Sequence, residues 1–198
     1  MKFNPSRLKL TLLIGIGTFA IGGVIVYAST ATILGVGSMP YSELVDGPAT
    51  LTARRLIIPV NDPPSAWHYH PGFILSTVGD VQAPIENTGS VTIEDGCGTS
   101  ETFGPGQSFH QLDGRVHRAV NYSNGTVEEH NMFVNPQGSP LTVTLSERRC
   151  GPPRSADECM NDGWAMFDFP ATFGNQGACV KYVTQRRKVS VLIPEPLP

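Results

Sequence analysis

Trp67-His68-Tyr69-His70-Pro71-Gly72 places two histidines one residue apart in an extended stretch of the chain. Side chains of a β-strand alternate between its two faces, so His68 and His70 project from the same face. Two imidazoles on one face can bind the same metal ion. The pair therefore predicts part of a metal site, to be completed by a third histidine from another strand.

A second stretch, Gly114-Arg115-Val116-His117-Arg118-Ala119-Val120-Asn121, supplies that third histidine as His117. The chain has five histidines, and all lie in one central block: His68, His70, His110, His117 and His130. His130 alternates with Met132 and Val134, which favours an interior position. His110 belongs to the strand before the His117 hairpin. We expect these two as additional pocket residues, either as a fourth ligand or in a surface or hydrogen-bonded role.

Composition bounds the class of protein. The 198 residues are 40% hydrophobic with a formal net charge of -3, which is typical of a globular domain. Basic residues cluster only briefly, at Arg54-Arg55, Arg148-Arg149 and Arg186-Arg187-Lys188, without interleaved aromatics. We interpret these groups as solvated surface charge and expect no nucleic-acid partner.

The N-terminal residues 1–30 have the layout of an export segment. Lys2, Arg7 and Lys9 precede an uncharged run that continues to Glu43. The apolar run is long enough for a hydrophobic membrane-spanning helix, a signal anchor, but small residues at 26–31 also suit cleavage of a signal peptide. Both alternatives predict an extracytoplasmic protein, either membrane-anchored or secreted. Residues 31–48 are small and almost uncharged, which suits a linker or an initial edge segment.

The four cysteines agree with export. Cys97, Cys150, Cys159 and Cys179 form an even set without a C-x-x-C pair, which favours disulfides over structural zinc. Four cysteines allow three pairings, and the sequence does not choose among them. Proximity makes Cys159 with Cys179 the natural loop, leaving Cys97 with Cys150.

Residues 49–148 carry turn signals about every 8 to 12 residues and no helical periodicity. This pattern predicts an all-β sandwich or barrel without internal repeats. Residues 149–198 form a small disulfide-bonded tail, whose cysteine-bounded loop is rich in aromatic rings: Trp164, Phe167, Phe169 and Phe173. These rings either pack into a small core around the disulfide or bind carbohydrate through exposed faces.

The two histidine stretches resemble the cupins, a family of small double-stranded β-helix or jelly-roll barrels with a metal-centred pocket. The second cupin motif, G-x5-P-x-G-x2-H-x3-N, corresponds here to Gly106, Leu112 in place of proline, Gly114, His117 and Asn121. The first motif, G-x5-H-x-H-x3 or x4-E-x6-G, is less complete. Asp62 replaces its glycine, and its glutamate position holds Ile74 or Leu75.

The resemblance implies a cupin barrel that binds a divalent transition metal through His68, His70 and His117, with Asn121 closing the second motif structurally. The H-x-H-P-G form is similar to that of exported single-domain cupins of actinobacteria. Three nitrogen ligands do not choose among Fe, Zn, Ni, Cu and Mn, although the missing carboxylate disfavours manganese. The resemblance allows a small-molecule oxygenase or isomerase, or a non-catalytic module for a small ligand or carbohydrate. Exposed sheet edges also allow a homodimer.

Overall fold

The computed structural model describes residues 29–79, 89–111 and 114–190, with side chains to residue 185, and it is mostly β. Ten strands are followed by two short 3-10 helices and one α-helix. The strands are β1 (Thr30–Ser42), β2 (Gly47–Ile58), β3 (His68–Tyr69), β4 (Phe73–Val78), β5 (Val91–Asp95), β6 (Ser100–Phe103), β7 (Ser108–Gln111), β8 (His117–Val120), β9 (Val127–Pro136) and β10 (Val143–Thr144). The 3-10 helices span Asp157–Cys159 and Gly163–Met166, and helix α1 spans Gln176–Ser190.

The strands form two five-stranded antiparallel sheets, which agrees with the predicted β architecture. One sheet has the order β1-β2-β9-β4-β7 and the other β10-β3-β8-β5-β6. A cluster of buried apolar side chains, drawn from both sheets, joins them. It contains Ile58, Val78, Val91, Phe109 and Val127. Burial of this cluster between the sheets is the main stabilising contact of the β domain.

The inner face of the first sheet changes from apolar to polar along its strands. Beyond the apolar cluster, this face carries a row of buried polar side chains. On β9 they are Glu129, Asn131 and Asn135. Ser76 on β4 and Thr52 on β2 are buried beside them. Buried polar groups destabilise a fold unless they are hydrogen-bonded, so a polar interior of this kind is typical of a functional pocket.

Residues Thr30–Ser42 form an edge strand, β1, rather than a linker. This strand pairs antiparallel with β2 over most of its length, from Thr30 opposite Ile57 to Ser42 opposite Gly47. Small and β-branched residues suit both a linker and a strand, and pairing with the long β2 decides between them. The predicted export segment, residues 1–30, lies almost entirely outside the described residues. Within the described part of the chain, no helix is long and apolar enough to cross a bilayer.

Two disulfides hold the C-terminal residues. Cys97 pairs with Cys150, and Cys159 pairs with Cys179. The second bridge lies in a small core with Phe167 and Val183, against which Trp164 and Phe173 pack. The aromatic rings therefore serve packing around the disulfide. Phe169 contacts Tyr69 of the β domain, with ring centroids 5.1 Å apart.

Helix α1 was not expected from the sequence. Its start carries a recognisable signal, because the side chain of Asn175 accepts a hydrogen bond from the backbone N–H of Ala178. Asparagine at this position is a favoured N-cap. The helix places Cys179 and Val183 one turn apart on the face that enters the small core.

Gly72 should be intolerant of any side chain. A Cβ at this position would lie 2.2 Å from the carbonyl oxygen of Val134 on β9. We expect Gly72→Ala to lower the free energy of unfolding by about 3 kcal/mol, because backbone must move to admit the methyl group. Gly37→Ala is the matched control, since nothing lies within 4 Å of its Cβ. Urea unfolding compares the two variants, and equal stability would contradict the close approach.

The C-terminal core should depend on its disulfide. Four buried residues are too few to hold a segment of this size without a cross-link. We expect the double variant Cys159→Ala with Cys179→Ala to lose amide protection throughout the segment, whereas the β9 amides keep theirs. Hydrogen exchange read by mass spectrometry makes this measurement. Unchanged protection of α1 would show that the packing is sufficient alone.

Candidate metal centre

Three histidine side chains meet on the inner face of the second sheet. His68 on β3 lies directly opposite His117 on β8, and His70 follows β3 by one residue. The ring centroids are 4.4 Å apart for His68 and His117, and 5.1 Å apart for each of the other two pairs. One ring nitrogen from each histidine lies within 4.8 Å of the others. This three-histidine cluster could hold a divalent metal ion.

A backbone carbonyl fixes the orientation of each ring. The Nδ1 atom of His68 lies 2.7 Å from the carbonyl oxygen of Ala66. The Nδ1 of His70 lies 2.7 Å from that of Leu141, and the Nδ1 of His117 lies 2.8 Å from that of Arg115. A carbonyl only accepts, so each Nδ1 carries the proton and donates it. The Nε2 lone pairs then remain for a metal, which is the usual arrangement around ligating histidines.

Burial keeps the three imidazoles neutral. It lowers the pKa of His70 to about 3, and it lowers the pKa of His68 despite the opposing hydrogen bond to Ala66. The pKa of His117 falls well below its ordinary value through burial and the adjacent His68 and His70. Metal ligation requires the neutral form. These rings are therefore in the ligating state at neutral pH without having to release a proton.

The expected carboxylate is absent from its motif position. Ile74 is buried in the interior, and Leu75 is 43% exposed on the opposite face of β4. Neither side chain can bind a metal. The carboxylate that does lie inside is Glu129, which is 4% exposed and shares the inner face with Asn131. Burial raises the pKa of Glu129, and its Oε1 has no hydrogen-bond partner in the described residues.

A cavity of about 700 Å³ opens beside the cluster, between the edge strands β6 and β7. His117 belongs to its wall, together with Phe103 and Phe109. At its rim lie the exposed Glu101 and, from the C-terminal segment, Arg154. The opening is large enough for a small organic molecule to approach His117.

The two additional histidines do not join the cluster. His130 is exposed on the outer face of β9, with 49% of its side chain accessible, and its Nε2 lies 2.9 Å from Oε1 of Glu128. The prediction that it faces the interior is wrong, because the buried alternation of β9 runs through Phe133 and Asn135. His110 is exposed on β7 and stacks on Phe73, although it lines the cavity.

Asn121 has the structural role that the motif implied. Its Nδ2 donates to the carbonyl oxygens of Ile58, Pro59 and Gly125. These bonds join the end of β2 to the loop before β9. Asn121 thus fixes the backbone beyond β8 rather than contributing to the cluster.

Arg54 and Glu129 were missed as interior residues. The sequence predicts surface charge for Arg54, because it stands beside Arg55. In the fold, Arg54 lies opposite Asn131 and donates from Nε to its Oδ1 at 2.9 Å, whereas Arg55 binds Glu128 on the other face. Alternation along β2 places the two arginines on opposite faces of the strand. Only the packing of the sheet shows which of these faces is buried.

No family model matches this sequence, and no curated protein matches it. Among solved structures, a polyketide cyclase, RemF, from Streptomyces resistomycificus is 19% identical with a TM-score of 0.38, over 50% of this chain and 63% of the cyclase. The chain thus spans less than two thirds of that protein. A cupin domain from Bordetella pertussis Tohama I is 15% identical with a TM-score of 0.41, over 58% and 100%.

A protein with a double-stranded β-helix domain from Klebsiella pneumoniae is 14% identical with a TM-score of 0.44, over 67% of this chain and 100% of that one. Cupin-domain proteins are thus among the solved structures that this chain resembles. This chain also has a three-histidine cluster.

Proposed function

We propose that this chain is a cupin-type metalloprotein that binds a divalent transition metal through the Nε2 atoms of His68, His70 and His117. The observation that carries the proposal is the set of three Nδ1–carbonyl hydrogen bonds, which leave the Nε2 atom of each ring for a metal in a cluster whose ring nitrogens lie within 4.8 Å of one another. A purely structural histidine cluster would not require the same ring nitrogen to be bound in every member.

The barrel proposed is a double-stranded β-helix over residues 49–148, preceded by an export segment at 1–30 and followed by the C-terminal segment 149–198. Two disulfides support an oxidising, extracytoplasmic location. Three neutral ligands leave open coordination positions, which is typical of catalytic rather than structural sites. A bound divalent ion would supply Lewis acidity or, if iron or copper, redox chemistry.

The chemistry proposed is oxygenation or isomerisation of a small organic molecule, which enters through the cavity beside His117. The chain's own residues would bind and orient that molecule, while the buried aromatic ring of Phe133 shields His70 from water. The alternative is a module that binds the same molecule without turnover. Oxygen uptake and product analysis with candidate substrates separate the two.

The metal site itself gives the first prediction. We expect protein purified without added metal to contain close to one divalent ion per chain, and His68→Ala and His117→Ala each to lose it. His130→Ala is the matched control, because that ring is exposed on the outer face. Elemental analysis by mass spectrometry measures the content. A metal-free wild type that also fails to bind added zinc would exclude the site.

The buried histidines also predict how stability changes with pH. Their folded pKa values lie below the unfolded value of about 6.5, so the unfolded state binds more protons in the interval between them. The metal-free protein should therefore lose stability as the pH falls from 7 to 5. Each histidine contributes up to about 1.4 kcal/mol per pH unit.

His70→Gln should make the slope of stability against pH shallower by the contribution of one histidine, because the folded-state pKa of His70, about 3, lies well below the tested interval. Urea unfolding at pH 7, 6 and 5 gives the slope, with His130→Gln as the exposed-histidine control. An equal slope in His70→Gln and wild type would show that His70 is not buried in the neutral form.

A further inference from the structure

Arg54 lies on the inner face of the first sheet, in a row with Asn131 and Ser76 across β2, β9 and β4. Asn131 and Ser76 are almost fully buried and bond to each other at 2.8 Å. The guanidinium of Arg54 stacks over the ring of Phe133, with its Cζ 4.8 Å from the ring centroid. Arg54 therefore projects between the two sheets, whereas most arginines in proteins project into solvent.

The same aromatic ring contacts the metal centre. The ring of Phe133 lies 5.2 Å from that of His70, edge to face. Arg54 and His70 thus pack against one shared side chain. The Cζ atom of Arg54 is therefore no farther from the ring centroid of His70 than these two distances combined.

The terminal nitrogens of Arg54 have no partner in the described part of the chain. Nε donates to Asn131 at 2.9 Å, but no described group accepts from Nη1 or Nη2. Two other arginines of the β domain differ in this respect: Arg55 forms a two-pronged bond to Glu128, and Arg115 forms one to Asp95. An inward guanidinium with two uncommitted terminal nitrogens suits a carboxylate, whose two oxygens match this fork.

The charges around Arg54 also favour an anionic ligand. Glu129 is the carboxyl nearest to Arg54 in the polar row, but no hydrogen bond joins the two: its Oε2 accepts from Asn131, and its Oε1 has no partner in the described residues. The guanidinium of Arg54 packs against the same ring as His70, so its positive charge lies close to the metal centre. A divalent ion on three neutral ligands would add further positive charge there. An anion is the ligand that balances this interior.

We propose that Arg54 binds an anion beside the three-histidine cluster and that its ligand is a small carboxylic acid with a second oxygen directed at the metal. Arg54 binds the carboxylate through Nη1 and Nη2, and a hydroxyl or carbonyl oxygen of the same molecule occupies an open coordination position. This inference rests on the proposed function for the metal, and it restricts the substrate or ligand class to short hydroxy or oxo acids.

Titration calorimetry of the zinc-loaded protein tests the inference, with sodium glycolate and 3-hydroxypropanoate as the probes. Their uncharged counterparts, ethylene glycol and 1,3-propanediol, report binding without a carboxylate. We expect wild type to bind at least one acid and neither diol. Arg54→Gln should weaken that binding at least tenfold. Arg54→Lys should give an intermediate value, because it keeps the charge but loses the planar fork.

Arg55→Gln is the matched control, since it removes a neighbouring arginine from the outer face of the same strand. It should bind the acids as wild type does. Zinc content is measured in every variant, and it should be unchanged in Arg54→Gln and Arg54→Lys. If Arg54→Gln does not fold, Arg54→Lys with normal zinc content provides the comparison.

Binding of the acids that is equal in wild type and the Arg54 variants, or absent from zinc-loaded wild type, would overturn the inference while leaving the metal site intact. If wild type holds no zinc, the proposed function fails, and the same titration is made on metal-free protein. Arg54-dependent binding of an acid there would still support the anion site, and its absence would overturn it.

Discussion

The hydrogen bond from an imidazole Nδ1 to a backbone carbonyl is the interaction on which the interior of this protein depends. Three rings in a buried space would otherwise leave polar nitrogens unsatisfied, at a free-energy penalty for each. The carbonyls of Ala66, Leu141 and Arg115 satisfy one nitrogen per ring and belong to three separate backbone segments. The loops that precede β3, β8 and β10 are therefore positioned by the same bonds that orient the cluster.

Arg115 connects this cluster to the C-terminal segment. Its carbonyl oxygen accepts from His117, while its buried guanidinium binds Asp95 and the carbonyl oxygen of Pro152 and lies 3.3 Å from Glu158. Cys97 and Cys150 join the same two regions covalently. The C-terminal segment is thus part of the support behind one proposed ligand, although it carries no histidine itself.

The sequence predicted the cluster well because period-two alternation is local. It places His68 and His70 on one face, and the resemblance around His117 supplied the partner strand. Alternation does not say which face is buried, and that ambiguity explains both errors: His130 was placed inside and Arg54 outside. Only the pairing of β9 with β2 and β4 assigns Phe133 and Asn131 to the interior. Pairing with β2 likewise makes residues Thr30–Ser42 an edge strand, which their composition did not require.

Phe133 lies against both Arg54 and His70, and this arrangement has a consequence for the order in which the pocket fills. The positive charge of Arg54 lowers the pKa of His68 and His70, and the same repulsion opposes a divalent cation when no anion is present. An anion on Arg54 removes that repulsion, and thermodynamic reciprocity requires that the metal strengthen anion binding by the same factor. The two ligands would then bind cooperatively: each would bind weakly by itself and more tightly when the other is bound.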